Sequence, residues 1–426
     1  MRKALPAAAA LVTALGTMLV TSPASATASS PADQGVTATT ISVGVPYVNF
    51  VALRSLGVTI DEGSFPDAYT AISNYMNTHG GFDGRKVVVT YDEMNPSIAA
   101  DATASCSTLT ENDHIFMAFS PVFPDCYQAI HDTLVIGGSL PGALPASAAP
   151  DFTLLTPGAA FDPLMFANFN KRGVFKGKKV GVFYGAASDQ PEVAVVQSAL
   201  KKLHVNVVLT AEDSVVATDA VASDQEVKTI AQRFQSAGVN VVVGVGGSGS
   251  TTWPRALLDN QSTYKPQYIT TSESSLLSYV NSAKGGNPYL ENVLAASPQP
   301  TYYQMWKDPA MQKCAAIVHK AYPSDTINPP PNPTSPTAAS VPSTAVSVIQ
   351  ACQELAMFQK IADAAGKKLT VASFAKAGYG LRSVSFPGSG GPVSFGPNQP
   401  YAVGPVNVVT YSSTSKTLVP ASSSTK

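Results

Sequence analysis

The stretch "VNVVVGVGGSGSTTWPRALL" (residues 239–258) joins a strand to a helix. Its first half is rich in β-branched apolar residues, which favour strands, and a helix-like segment ends it. Between the two lie Gly244, Gly246 and Gly249, which give the spacing G-x-G-x-x-G. A strand, a glycine turn and a helix in this order predict one unit of an α/β fold.

The same spacing is the fingerprint with which dinucleotide-binding proteins hold a pyrophosphate. In those proteins the glycines follow the first strand of the unit, and an acidic residue about 20 positions later binds the ribose. Here the unit lies in mid-chain, and the corresponding position is Tyr264, within the acid-free segment "QSTYKPQ". A lone match is weak evidence. We therefore predict no cofactor.

Strand–helix alternation extends in both directions from this stretch. Further strands are predicted at 39–47, 85–93, 114–120, 133–138, 178–185, 205–210 and 266–273. Repeated units of this length form parallel sheets with helices on both faces, because their crossovers are right-handed. The pattern breaks and restarts near Thr153–Pro157. The sequence therefore predicts an α/β chain with two doubly wound parallel-sheet lobes.

The first 28 residues are typical of an export signal. Arg2 and Lys3 precede an apolar run over residues 5–20, and small residues around Ala26 match a signal-peptidase site. A single N-terminal membrane anchor is the alternative, although the run is short for a membrane span. No Cys follows the signal, so no lipid anchor is expected there. We predict a secreted, extracytoplasmic protein cleaved near Ala26.

Two further segments are expected to lie outside regular structure. Residues 323–342 are rich in proline, which predicts a surface loop. Residues 412–426 are rich in serine and threonine, which predicts a disordered tail.

Four cysteines lie in the mature chain, and export permits disulfides. They allow three pairings, of which the local one, Cys106 with Cys126 and Cys314 with Cys352, is favoured. Each bridge would contribute about 3–4 kcal/mol on the chain-entropy model. Buried free thiols are the alternative. A metal site is disfavoured because no pair has C-x-x-C spacing.

Charge and motif content exclude several classes of function. The formal net charge is −1 and charged residues make up 13% of the chain, without a basic patch. Neither nucleic acid nor a charged membrane surface is therefore an expected partner. The serines near Gly246 do not fit G-x-S-x-G, and the five histidines form no H-E-x-x-H motif. No enzyme activity is predicted.

The opening of the mature chain resembles a known family. "ISVGVPY" followed by "NYMNTHGGFDGRKVVVTYDE" is similar to the start of the branched-chain-amino-acid-type (Leu/Ile/Val) periplasmic binding proteins, type I. The turn GG-x-x-GRK (residues 80–86) is the most specific piece. The similarity continues through "VFKGKKVGVFYG" and "SAGVNVVVGVGG" and covers most of residues 37 to 300.

This resemblance implies two lobes joined by a hinge of three chain crossings, closing on a small solute. The lobes would interleave. Lobe 1 is expected at 37–155 plus 293–382, and lobe 2 at 156–292 plus 383–411.

The resemblance also nominates ligand contacts. In the family, hydroxyls and backbone amides after the third and fourth strands bind the ligand carboxylate, which here implies Ser120, Ser139 and Leu140. Pro141 follows where the family usually offers another donor, and proline has no N–H. In the family, an acidic residue pairs with the ligand ammonium. The alignment places this residue at Glu273 or, equally, at Ser272. For each serine a turn or cap role is the alternative, and for Glu273 a solvated helix start.

Other candidate contacts either differ from the family pattern or directly follow a predicted strand. Asp189 stands where the family often has an aromatic ring, which favours a cationic or hydroxylated ligand over a plain aliphatic amino acid. Gly246–Ser250 is expected to form a strand-end loop at the cleft, in which Gly246 admits a ligand and Ser248 or Ser250 donates; a plain turn is the alternative. Tyr47 would form a cleft wall. Trp253 directly follows the glycine turn, where it would either sense closure of the cleft or pack against a helix, and packing is slightly favoured.

The resulting hypothesis is a solute-binding protein of an ABC-type uptake system. It would bind a small polar solute such as an amino acid, amide or carboxylate, and deliver it to a membrane permease as a monomer. The alternative keeps the fold but makes the chain a secreted sensor or scavenger without a transporter.

Overall fold

The structure, a computed structural model, describes part of the chain. The described residues are 34–48, 50, 60–95, 98–138, 148–185, 189–215, 219–258, 264–282, 290–291, 293–335 and 343–421. The expected signal peptide (1–28) and the candidate contacts Ser139 and Leu140 lie outside them. So do residues 336–342 of the Pro-rich loop and 422–426 of the tail.

Two sheets organise these residues. The first has five parallel strands in the order β2-β1-β3-β4-β5, which are β1 (Thr40–Val48), β2 (Lys86–Met94), β3 (Met117–Phe119), β4 (Leu134–Ile136) and β5 (Asp151–Phe152). The second has seven strands in the order β14-β13-β10-β9-β8-β6-β7. These are β6 (Val180–Tyr184), β7 (Val207–Glu212), β8 (Val241–Val245), β9 (Gln267–Thr270), β10 (Val293–Ser297), β13 (Asn407–Ser412) and β14 (Thr417–Pro420). Strands β6 to β10 are parallel, and β13 and β14 run antiparallel at one edge.

Helices cover these sheets. In chain order they are α1 (Phe65–Thr78), α2 (Ala99–Ser107), α3 (Gly158–Lys171), α4 (Gln190–Lys202), α5 (Ala220–Ser236), α6 (Gly246–Leu258), α7 (Glu273–Ser282), α8 (Tyr302–Trp306), α9 (Pro309–Ala321), α10 (Val346–Ala365) and α11 (Val371–Gly380). Helix α1 begins as its sequence predicts. Ser64 caps it by accepting a hydrogen bond from the Asp67 backbone N–H, and Phe65 and Ile72 turn inward.

The second sheet is buried on both faces, which is the doubly wound arrangement. Side chains alternate along its central strands: Val242 packs into one core cluster, and Val241 and Val243 pack into the other. Helices α5 and α6 cover the first face, and α3 and α4 cover the second. Near-continuous apolar strands are what such a sheet requires.

The chain passes between the two sheets three times. It leaves the first sheet after Phe152, returns to the first core after Ser297, and re-enters the second sheet between Val403 and Asn407. The predicted fold class, two α/β lobes with a three-crossing hinge, is therefore confirmed.

Two predicted lobe boundaries are wrong. The second crossing was placed at 293, but β10 belongs to the second sheet because its apolar residues pair with β9 and β13. The third was placed at 383. Instead Phe386 and Phe395 pack into the first core, and the hairpin of β11 (Ser394–Gly396) and β12 (Gln399–Val403) stays beside β5.

The predicted disordered tail is also wrong over residues 412–421. Residues 412–417 form a tight turn, which returns the chain as β14 against β13. Leu418 is 4% exposed in the second lobe's core, so apolar burial stabilises a segment whose composition is mostly polar.

Both disulfides have the favoured local pairing, Cys106–Cys126 and Cys314–Cys352. The first bridge lies in a small core on the outer face of the first sheet. The second joins α9 to α10. No helix among the described residues is both long and apolar enough to cross a bilayer.

Candidate functional site

Two adjoining cavities lie where the chain crosses between the sheets. The larger has a volume of about 510 Å³ and the smaller about 170 Å³. Leu155, Gln299 and Tyr302, from the first two crossings, line both. In open parallel sheets a ligand binds outside the carboxyl ends of the strands, and the smaller cavity has that position at the first sheet.

The larger cavity is mainly apolar and is lined from both lobes. Its other lining residues are Glu273, Leu277, Ser297, Pro300, Thr301, Tyr303, Met305, Pro330, Pro331, Pro333, Ser343, Val409, Thr417 and Leu418. Three of them come from the Pro-rich segment, so that segment forms a wall of the cavity.

A buried carboxyl group, that of Glu354 on α10, lines the smaller cavity. The Tyr69 hydroxyl donates to its Oε2 at 2.5 Å, and the Ser120 hydroxyl bonds its Oε1. The pKa of Glu354 is raised to about 8, chiefly by burial and in part by the charge of Asp151, against the hydrogen bonds of Ser120 and Tyr69, which lower it. The neutral acid therefore predominates at neutral pH.

A second buried acid, Asp151 on β5, lies close to the first. Its Oδ1 accepts from the Gly138 backbone N–H at 3.3 Å, while its Oδ2 has no hydrogen-bond partner within the described part of the chain. Burial raises the pKa of Asp151 to about 7. No ion pair among the described residues includes Asp151 or Glu354.

Gly137 and Gly138, which follow β4, allow both acids to approach the backbone. Gly137 has φ +78°, and a Cβ there would lie 2.1 Å from Glu354 Oε1. A Cβ on Gly138 would lie 2.6 Å from Asp151 Oδ2. Any side chain at Gly137 would therefore displace the Glu354 carboxyl group.

The structure places two of the nominated contacts in the cavities. Ser120, after β3, lines the smaller one beside Glu354. Glu273, at the start of α7, lines the larger one, and burial raises its pKa. Ser272, the alternative to Glu273, instead donates its hydroxyl to Ser275 at 2.7 Å.

Three other nominated residues meet one another in the second lobe but line neither cavity. Gly246 has φ +71°, and a Cβ there would lie 2.3 Å from Asp189 Oδ1. Ser248 packs against Gly185, whose N–H donates to Asp189 Oδ2 at 3.3 Å. These contacts form a compact turn after β6 and β8.

The expected loop over Gly246–Ser250 is a helix start. Helix α6 begins at Gly246, and the Ser250 hydroxyl donates to the Gly246 carbonyl oxygen at 2.5 Å. The positive φ of Gly246 completes the turn within one residue, so no loop is needed.

Tyr47 lies apart from these cavities. Its hydroxyl donates to Glu93 Oε2 at 3.0 Å, and it lines a separate cavity of about 220 Å³ with residues 60–66. Burial, together with the Glu93 carboxylate, raises the pKa of Tyr47 to about 12.

Trp253 packs in the core, as interpreted from the sequence. It is wholly buried, and its ring lies 5.1 Å from that of Phe183 and 5.6 Å from that of Phe234.

Three buried acids were not predicted from the sequence: Glu354, Asp151 and Asp162. Glu354 carried a signal, because it precedes Phe358 by four positions on the apolar face of a long helix. Asp162 is wholly buried on α3 beside Glu192; burial and then the like charge raise its pKa to about 8.

One group of potential metal ligands occurs within the described ranges. It comprises Cys106, Cys126 and His131. Both cysteines are joined in a disulfide, so they offer no thiolate to a metal.

These buried acids predict that the free energy of unfolding falls as pH rises. The native chain holds protons on Asp151, Asp162 and Glu354 that the unfolded chain releases at lower pH. Stability is therefore full below about pH 4, where both states hold these protons, and decreases up to about pH 8 by about 1.4 kcal/mol per pH unit for each acid that only the native chain keeps protonated. Chemical denaturation across this range measures it.

Glu354→Gln should flatten that pH dependence, whereas Glu291→Gln, at an exposed position, should leave it unchanged. A free energy of unfolding that stays constant or rises over the same range would contradict the assignment of buried neutral acids.

Comparison with known proteins shows which solved structures share this fold. No protein-family model matches the chain, and no curated protein sequence matches it. A putative branched-chain amino acid ABC transporter protein from Silicibacter pomeroyi matches in structure with 13% identity and a TM-score of 0.59, over 90% of this chain and 96% of that chain. A substrate-binding protein from Desulfitobacterium hafniense in complex with Leu matches with 12% identity and a TM-score of 0.56, over 90% and 100%.

A solute-binding protein from R. palustris in complex with 4-hydroxybenzoate matches with 14% identity and a TM-score of 0.52, over 90% of this chain and 95% of that chain. At these identities the similarity shows the fold. The resemblance to the type I, branched-chain-amino-acid-type binding proteins is thus confirmed at the level of fold.

Proposed function

We propose that this chain is an extracytoplasmic solute-binding protein that closes two lobes on a small polar solute and delivers it to an ABC-type permease. The observation that carries the proposal is the pair of adjoining cavities at the crossings, which combine apolar walls with the polar groups of Ser120, Glu273 and Glu354. Few convergent polar groups in an apolar cavity are typical of small-molecule sites.

The structural relatives support this class of function. One is in complex with Leu and another with 4-hydroxybenzoate, and both are solute-binding proteins of ABC transporters. Binding would shift an open–closed equilibrium about the three crossings, and the permease would recognise the closed form. Two different ligands on one fold mean that the solute of this chain has to be inferred from its own lining residues.

A thermal-shift screen tests the proposal. The panel contains amines, amidines, amino acids, neutral amides, carboxylates and sugars. A solute at about 100 times its dissociation constant adds about 2.7 kcal/mol of stability and raises Tm by a few degrees.

Ser120→Ala should weaken the response, whereas Ser278→Ala, an exposed serine on α7, should not. A panel without any response, repeated after unfolding and refolding to remove a bound solute, would contradict the proposal.

A further inference from the structure

In the described part of the chain, carboxyl groups, without basic side chains, line the two cavities. Glu273 and Glu354 line them, and no Lys, Arg or His occurs among the described lining residues. Lys307 has its Nζ 4.1 Å from the ring centroid of Tyr303, which lines the larger cavity, but Lys307 itself lines neither cavity. An anionic solute would face two carboxyl groups without a side-chain counter-ion.

The smaller cavity provides acceptors for N–H donors. Besides Glu354 it presents the amides of Gln299, Gln350 and Gln353. The Tyr69 and Ser120 hydroxyls each bond one oxygen of Glu354, and the Gln350 side chain also hydrogen-bonds this group. A carboxylate has about four acceptor positions, so at least one remains for a ligand.

We propose that the solute is an organic cation whose ammonium or amidinium head binds Glu354 in the smaller cavity and displaces the proton that this group holds. The inference rests on the proposed function and narrows its substrate class. The proton passes from the Glu354 carboxyl to solvent, and the resulting carboxylate pairs with the cation in a desolvated site, where charge-assisted hydrogen bonds are strong. The larger cavity, with Tyr302, Tyr303 and prolines, takes the rest of the solute.

The groups that face Glu354 are consistent with the replacement of its proton by an organic cation. Tyr69 on α1 and Ser120 after β3 donate to it, and Asp151 on β5 adds negative charge. Tyr302 lines the same cavity from the second crossing. None of these groups supplies a positive charge. Without a ligand, Glu354 therefore stays protonated and neutral.

Isothermal titration calorimetry of the full chain tests the inference. The probes are agmatine and 1,4-diaminobutane as cations, butyramide as a neutral amide, and 4-hydroxybenzoate as an anion. Titrations in phosphate and in Tris, which differ in ionisation enthalpy, give the number of protons exchanged. We expect a cationic probe to bind with release of about one proton near pH 7, and with affinity rising about tenfold per pH unit below the pKa of Glu354.

Glu354→Gln keeps the shape and an acceptor oxygen but carries no titratable proton. It should raise the dissociation constant of the cation about tenfold to hundredfold and abolish proton release. Glu291→Gln, at an exposed position, is the matched control, in which the affinity and the released proton should both remain. The proton count of the unmodified chain stands even if Glu354→Gln fails to fold.

Each other outcome decides the question. A cation that binds without proton release, or equally well to Glu354→Gln, overturns the inference. Binding of only the neutral or anionic probes overturns it as well, while the proposed function stands. Binding of no probe, together with no response in the wider thermal-shift panel, removes the proposed function and the inference with it.

Discussion

Gly137→Ala is expected to destabilise the protein by about 3 kcal/mol and to abolish solute binding. The new methyl group would lie 2.1 Å from Glu354 Oε1 and 2.9 Å from Ser120 Oγ, so the carboxyl group has to leave its place. Its displacement breaks the hydrogen bonds that Tyr69 and Ser120 make with this buried carboxyl group. Urea unfolding and calorimetric titration measure the two effects.

Gly173→Ala is the control that separates the effect of the contact with Glu354 from the effect of backbone strain. Gly173 follows α3 with the same φ of +78°, and nothing lies within 4 Å of the Cβ position. It should therefore cost only about 1 kcal/mol, the usual penalty for a left-handed residue, and leave binding unchanged. Equal effects of the two substitutions would show that the approach of Glu354 to Gly137 does not matter.

Trp253→Ala is expected to cost about 3–5 kcal/mol, because it removes the largest side chain in the core of the second lobe. The ring packs between Phe183 on β6 and Phe234 on α5, so its loss leaves a cavity where sheet and helices meet. Urea unfolding measures the cost.

Trp306, the second of the two tryptophans, is the matched control. It is only partly buried at the end of α8, so Trp306→Ala should cost about 1–2 kcal/mol. If the two substitutions cost the same, Trp253 would not have the central packing role that the structure gives it.

The fold was predictable because its signals are local and repeated. Apolar β-branched runs such as Val241–Val245 form strands buried on both faces, and Ser64 starts α1 where its capping chemistry predicts. The disulfide pairs were predictable for a similar reason, since each closes a short segment, of 20 and 38 residues.

The lobe boundaries and the tail depend on contacts between distant residues, which local patterns do not encode. Strand β10 joins the second sheet by pairing with β13, more than 100 residues later. Strand β14 is ordered by the burial of Leu418 against residues far away in sequence. Composition predicted disorder there because the segment is rich in serine. Composition alone does not show that β13 and the core of the second lobe are available to pack against it.

The candidate site was predictable in part. The family resemblance nominated Ser120 and Glu273, and each lines one of the two cavities. Glu354 lies 234 residues from Ser120, on a helix from a different part of the chain, and only the folded structure brings them together. Asp189 and Gly246, which were nominated separately as ligand contacts, instead contact each other in a turn away from the two cavities.

A crystal structure of the chain with the tightest-binding solute of the panel tests the central claim most directly. The account predicts electron density between the lobes, with a nitrogen of the solute within hydrogen-bond distance of the Glu354 carboxylate and the rest beside Tyr302. Density for the solute outside this cleft, for example in the cavity of Tyr47 and Glu93, would contradict the account.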